Sequence, residues 1–156
     1  MTTTLITGGN KSLGFETARR LKEHGHRVVI GARDAQRGQQ AAEELGVEWV
    51  EIDVTSDASV AAAAEAVRER FGGLDVLVNN AGISGPFAAV EEFDGPSVLA
   101  VLDTNTVDPG YTATDFNGHS GPQTVTEGTD VIVAMATIGA DGPTGTFTDR
   151  HGAVGW

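Results

Sequence analysis

Eight residues near the N-terminus, TGGNKSLG (Thr7–Gly14), offer the first chemistry in the sequence. Glycines in such a turn let backbone N–H groups approach an anion closely, and a helix opening directly behind adds the positive end of its dipole. The ligand that suits this arrangement is a phosphate or pyrophosphate; for a glycine motif standing alone, an ordinary tight turn is the alternative. Two cations are candidates to assist, Lys11 within the turn and Arg33 in the stretch IGARD. Further on, Asp53, the pair Asn79–Asn80 and the stretch PGYTATD (Pro109–Asp115) combine polar and glycine residues in the same way.

These residues need a scaffold, and the first hundred residues supply its pattern. TTLIT (Thr3–Thr7) reads as a short strand ending in the glycine turn. Ser12 to His24 reads as a helix with Phe15, Ala18 and Leu21 on one face, stopped by Gly25. RVVIG is a second strand, followed by a helix from Asp34, a candidate N-cap, to Leu45 and closed by Gly46. VEWVEI is a third strand. A helix then opens near Ser56 and Asp57 and is expected to set Val60, Ala64, Val67 and Phe71 along its buried stripe. LDVLV (Leu74–Val78) is a fourth strand. Strand–helix alternation at this spacing implies βαβ units, a parallel sheet and helices on both faces. The expected fold is a Rossmann-like doubly wound α/β sheet in a single domain spanning 1–156.

The pattern degrades after Gly82. A loop with Gly85 and Pro86 leads to a helix expected over Pro96–Thr104. A loop from Val107, an apolar helix around Thr126–Ile138 and a last strand at TGTFT follow. No further strand–helix pair stands after the Pro96 helix, where the alternation requires one.

Within an alternating domain the glycine turn points to a dinucleotide, and the end of the second strand says which one. An acidic residue there would hold a ribose 2′-hydroxyl and repel a 2′-phosphate. Here Arg33 occupies that place and Lys11 can reach it, each able to add a charge-assisted hydrogen bond of roughly 1.5–3 kcal/mol. This favours NADP over NAD. The alternative for both is a solvated surface cation, and Asp34, the candidate helix cap, is a mild counter-signal.

TGGNKSLG, DVT (Asp53–Thr55), NNAG (Asn79–Gly82) and PGYTATD stand in the order used by the short-chain dehydrogenases/reductases, which the chain resembles over nearly its whole length. GGNKSLGFE and the tail DGPTGTFTDRHGAVGW are most similar to the NADPH-dependent carbonyl-reductase branch. The resemblance implies that Gly8, Lys11, Ser12, Leu13 and Gly14 cradle the phosphates, and that Arg33 meets the 2′-phosphate. It places Asp53 on the adenine amine and Val54 against the ring. Asn79, Ala81 and Gly82 would line the ribose nearer the nicotinamide. Pro109, Gly110 and Thr112 would flank the carboxamide, with Thr114 near the pyrophosphate. Asp53 could instead cap a helix, and Asn79 and Asn80 could be a satisfied turn at a strand end. Ser12 departs from the family's usual Gly or Ala.

The family's chemistry also needs an Asn, a Ser, and a Tyr and Lys spaced Tyr-x-x-x-Lys. A free phenol of pKa ~10 is ionised about once in a thousand at pH 7, and the Lys favours the phenolate. Asn105 in DTNT matches the Asn. The single tyrosine, Tyr111, belongs to PGYTATD, and four residues on stands Asp115, which opposes a phenolate. The lysines are Lys11 and Lys22, and Ser84, Ser97 and Ser120 stand in other contexts. Between DTNT and VDPGYT the family would place a strand, a helix and a further strand, roughly 60–80 residues in all. Here DTNT, with Asn105 in it, runs straight on into Val107. Strands are thus expected to be lacking between Asn105 and Val107, dividing the domain into 1–106 and 107–156. The fourth strand should show an apolar unpaired edge, and TGTFT should pair with that strand or stay unpaired.

Composition narrows the partners. A formal charge of −12 argues against nucleic acid, which basic surfaces bind. No apolar run approaches the ~20 residues that span a bilayer, and no signal segment is seen at the N-terminus, so a cytoplasmic protein is expected. There are no cysteines, and His24, His26, His119 and His151 form no ligand pattern with carboxylates, so no metal site is expected. By resemblance the chain is an NADPH-dependent oxidoreductase of carbonyl compounds, inactive in the form given. A small carbonyl or alcohol substrate is expected only if the missing segment exists. The alternatives are a non-enzymatic NADP(H)-binding fragment or a module that self-associates through the edge strand.

Overall fold

Strand β1 (Thr3–Thr7) is buried along its whole length because it has a neighbour on each side. It pairs in parallel with β2 (Arg27–Ala32), which pairs with β3 (Glu48–Glu51), and on its other side with β4 (Val76–Val78). The sheet order is β3-β2-β1-β4. A strand covered on both faces must be apolar at successive positions rather than at alternate ones, which is what Leu5–Ile6 and Val28–Ile30 supply. The computed structural model describes residues 1–82, 106–139, 141–143 and 145–154. They fall into two compact units, Met1–Gly82 and Ile83–Trp156.

The helices of the first unit start and stop where their end residues dictate. Helix α1 (Ser12–Glu23) is followed by Gly25 at φ +84°. Helix α2 (Ala35–Leu45) is capped by Asp34, whose carboxylate accepts from the Arg37 N–H at 3.0 Å, and it ends on Gly46 in the left-handed region. Helix α3 (Asp57–Phe71) is capped by Ser56 and ends on Gly72 at φ +82°. On one face of the sheet Leu5, Val29, Val50 and Ile52 pack with Ala63 and Val67 of α3, joined by Ala66 and Phe71. The expected stripe on α3 is therefore corrected. Val67 and Phe71 face the core, but Val60 is 40% exposed and Ala64 is exposed, their places being taken by Ala63 and Ala66. Phe71 also lies under the guanidinium groups of Arg27 and Arg70, at 5.9 and 4.9 Å.

His26 joins α1 to β2, and its Nδ1 lies 2.8 Å from the hydroxyl of the fully buried Thr4. Burial, followed by the charge of His24, lowers its pKa below 6.5. The unfolded chain therefore takes up the proton first. Stability should fall as pH drops through about 6.5 and level off once the folded imidazole is also charged. Urea midpoints between pH 7.5 and 5 are expected to decline, with a flatter profile for His26→Gln.

In the second unit β5 (Thr106–Val107) pairs in parallel with β6 (Phe147–Asp149), which turns back on β7 (Gly152–Ala153). This corrects the expectation for TGTFT. The last strand neither pairs with β4 nor stays single, because the residues at the junction themselves extend and supply its neighbour. Helix α4 (Val125–Ala136) opens on a capping box between Thr124 and Glu127. Among the described residues β4 has β1 as its one strand partner, and its Leu77 is 49% exposed. The helix expected over Pro96–Thr104 and the candidate Asn105 lie outside the described residues.

Candidate nucleotide-binding site

The glycine turn sits at the C-terminal end of β1, where the sheet order reverses between β1 and β4, the crevice in which open α/β sheets take ligands. Gly8 adopts φ +65°, and a Cβ there would come within 3.1 Å of the Ala81 Cα. The Gly9 N–H donates to the Gly31 carbonyl at 3.1 Å, which ties the turn to β2. Gly14 is buried where α1 meets the turn.

Asn80 is a satisfied turn residue at a strand end, the alternative reading of the sequence, but its link to Thr7 is not part of that reading. The Asn80 side-chain amide donates to the carbonyls of Thr7 and Gly8 at 2.9 and 3.2 Å. The Thr7 hydroxyl accepts from the N–H groups of Asn80 and Ala81 at 3.1 and 3.0 Å. The end of β4 is thus bolted to the end of β1 across more than seventy residues. Position alone gave a signal, since Thr7 stands one residue and Asn80 two residues past an apolar strand core.

Helix α1 differs from the other described α-helices at its start. Asp34, Ser56 and Thr124 cap α2, α3 and α4 with side-chain oxygens, whereas Lys11 gives α1 no side-chain cap. The donors at the start of α1 thus have no cap from the N-cap side chain, a setting that fits an anionic group. Lys11 is exposed, and Ser12 and Leu13 are half-buried. Ser12 holds φ +50°, a conformation in which glycine is at ease and a side chain is strained.

Arg33, exposed one residue past β2, lies near enough to Asp53 for their charges to interact. The Asp53 carboxyl is held below its ordinary pKa first by the Thr55 hydroxyl at 2.7 Å, then by the Thr55 N–H at 3.0 Å, with Arg33 adding to both. Val54 is 47% exposed beside it. Asn79, Ala81 and Gly82 are exposed beyond β4. The first unit therefore gathers the residues from Gly8 to Gly14, Arg33, Asp53, Val54 and Asn79 to Gly82 at the C-terminal ends of its strands.

The matching family model, described as short chain dehydrogenase, covers residues 2–112. The chain belongs to the short-chain dehydrogenase family. As a member it shares 44% identity over 89 residues with short-chain dehydrogenase/reductase 1 of Saponaria officinalis, an alignment covering 52% of this chain and 30% of that protein. This short-chain dehydrogenase chain thus spans under a third of the length of that relative. It also superimposes on actinorhodin polyketide ketoreductase solved with NADPH, at TM-score 0.53 and 38% identity, over 65% of this chain and 40% of the other. Salutaridine reductase of Papaver somniferum matches at TM-score 0.79 over 94% of this chain and 99% of that one; at 19% identity this likeness speaks for the fold.

Within this short-chain dehydrogenase chain, the PGYTATD stretch lies in the second unit. Gly110 takes φ +71°, and its N–H donates to Asp108 at 2.8 Å. The Thr112 hydroxyl donates to the carbonyls of Pro109 and Gly110 at 3.0 and 3.2 Å. Asn117 and Gln123 brace the turn from the other side: the Asn117 amide donates to the Thr112 carbonyl at 2.8 Å, and the Ala113 N–H donates to the Gln123 carbonyl at 2.8 Å. Thr112 and Thr114 are buried. Among the described residues no group of His, Asp and Glu side chains could hold a metal ion, and no helix is long and apolar enough to cross a membrane.

Proposed function

We propose that the chain binds NADP(H) through its first unit, as the NADPH-dependent reductases of its family do, and that in the form given it does not turn over a carbonyl substrate. The observation that carries the binding is the start of α1, left without a side-chain cap at the strand crossover while Lys11 and Arg33 stand exposed nearby. A bound dinucleotide would supply hydride transfer to a small carbonyl or from an alcohol. The chain's own part is to seat the pyrophosphate on the turn, set Arg33 against the 2′-phosphate and offer the Asp53 carboxylate to the adenine amine.

Arg33 is the test of cofactor choice. Arg33→Asp removes one charge-assisted contact and adds repulsion, so NADPH affinity should fall by about 10- to 100-fold while NADH affinity holds or rises. Titration of both cofactors against both proteins measures this. An unchanged ratio of the two affinities would refute the role given to Arg33.

The lack of turnover is supported by the surroundings of the single tyrosine. The Ser120 hydroxyl donates to the Asn117 carbonyl at 2.7 Å, so the Tyr111 phenol, 2.5 Å away, is the donor in their shared bond. Tyr111 is thus paired with Ser120 inside its own loop, and among the described residues no lysine is bonded to it. Lys22, one of the two lysines, donates to the Leu45 carbonyl at 2.7 Å, joining α1 to the end of α2. Protein whose intact mass is verified at 16.1 kDa should consume no NADPH above background with a dicarbonyl substrate. Steady consumption would overturn this half of the proposal.

A further inference from the structure

We infer that Asn117 is a modification site: its side-chain amide is set to be lost by attack of the following backbone nitrogen, and the turn that it braces restrains the loss. The inference goes beyond nucleotide binding, does not depend on it, and concerns the second unit alone.

Gly118 follows Asn117, and no other asparagine in the chain precedes a glycine. A residue without a Cβ leaves its backbone nitrogen open to the carbonyl carbon of the side chain before it. Gly118 is exposed at φ +61°, in open space, and its N–H meets the Asp115 carbonyl only at 3.5 Å. The peptide group it belongs to is also polarised. The Asn117 carbonyl accepts from the Ser120 hydroxyl at 2.7 Å and from the Ser120 N–H at 3.3 Å. Both donors draw charge out of the conjugated C–N bond and ease loss of the Gly118 proton. In the step itself the Gly118 nitrogen gives that proton to solvent and bonds to Asn117 Cγ. The Cγ–Nδ2 bond breaks, and Nδ2 leaves as ammonia with a proton taken from solvent. The cyclic imide then takes up one water, which leaves aspartate when it adds at Cγ and isoaspartate when it adds at the backbone carbonyl. Nothing is oxidised or reduced.

The restraint lies in the amide that has to leave, because both of its polar atoms are in use. Asn117 Nδ2 donates to the Thr112 carbonyl at 2.8 Å, and Oδ1 accepts from the Thr114 N–H at 3.1 Å. Thr112 and Thr114 are themselves buried, so they hold the amide in place. Cγ cannot swing onto the Gly118 nitrogen until both bonds open. Two hydrogen bonds that must open first should slow the step by roughly 10- to 100-fold relative to a loose chain. The product differs from the amide in what it can offer, since an ionised carboxylate only accepts. It can still take the Thr114 N–H, but it loses the donor to Thr112 and sets a negative charge against that carbonyl oxygen. The brace on PGYTATD is then gone, and with the ammonia lost it does not re-form. Asn117 therefore keeps a chemical record of how long its turn has stood open.

Peptide mapping by mass spectrometry, on the whole chain incubated in mildly alkaline buffer with and without guanidinium chloride, tests this. In denaturant, conversion at Asn117 should outpace conversion at Asn10, Asn79 and Asn80. Without denaturant Asn117 should convert about 10- to 100-fold more slowly than with it. Asn117→Asp, which carries the product's side chain from the start, should be cut by chymotrypsin after the exposed Tyr111 or Phe116 about 5- to 10-fold faster than the parent. Trp49, in the first unit, should stay as resistant as in the parent, which separates a loosened turn from a chain that fails to fold. Conversion at Asn117 no faster than at the other asparagines in denaturant would overturn the site. Equal rates with and without denaturant would overturn the restraint. A variant cut no faster at Tyr111 and Phe116 than the parent would overturn the consequence for the turn.

Discussion

Replacing Gly14 with alanine should destabilise the first unit by about 3 kcal/mol and abolish nucleotide binding. A Cβ at this position would lie 2.5 Å from the Asn80 amide nitrogen, 2.6 Å from the Gly8 carbonyl oxygen and 3.0 Å from the Gly9 Cα. None of these can give way cheaply. Two are backbone atoms, and the Asn80 amide is fixed by its own bonds to Thr7 and Gly8. The whole turn would have to move off the start of α1. Against a typical domain stability of about 5–15 kcal/mol such a loss is large, and urea unfolding would register it as a lower midpoint with an unchanged slope. Gly25→Ala is the control. Gly25 also has a positive φ but open space around it, so its replacement should lose only about 1 kcal/mol and leave binding intact.

The second large effect is expected at Thr7. Thr7→Val keeps the shape of a side chain that is 4% exposed but deletes the oxygen shared by two N–H groups. Asn80 N–H retains the Val78 carbonyl at 3.1 Å, whereas among the described residues the bond that Ala81 N–H makes to Thr7 has no such substitute. The expected loss is about 2 kcal/mol, from an unsatisfied donor and a removed cross-strand link. Denaturant unfolding measures it, and a stability within about 0.5 kcal/mol of the parent would show that the hydroxyl does not hold β4 in place.

The elements of the first unit were largely legible because local signals agreed with one another. Asp34 and Gly46 bracket α2 as expected, and β1 runs from Thr3 to Thr7 as its composition indicates. Where α3 was misread, the sequence held no phase information: alanines at 61–64 and 66 suit any face, and Val60 was a poor anchor beside the sheet's demand for Ala63 and Val67. The partner of the last strand was missed because the family pattern has its neighbour removed, and nothing local shows that Thr106 and Val107 would extend to replace it. In the candidate site, Arg33, Lys11 and Asp53 could be picked out by residue type and position. The link between Thr7 and Asn80 could not, because a hydrogen bond between residues 73 apart leaves no periodicity to read. The inward bonding of Thr112 was hidden for a related reason, since PGYTATD reads the same whether its hydroxyls face a ligand or their own turn.

The same link bears on the order in which the first unit folds. Its hydrogen bonds close loops of 72 to 74 residues, while β1, α1 and β2 can assemble from near neighbours. Long closures form late when chain entropy sets the sequence of events. A chain paused with β1, α1 and β2 in place would have its first helix and its glycines, yet its turn would still be loose. Nucleotide affinity in this protein is therefore expected to mature with the last strand rather than with the first helix, which makes it a gauge of completed folding.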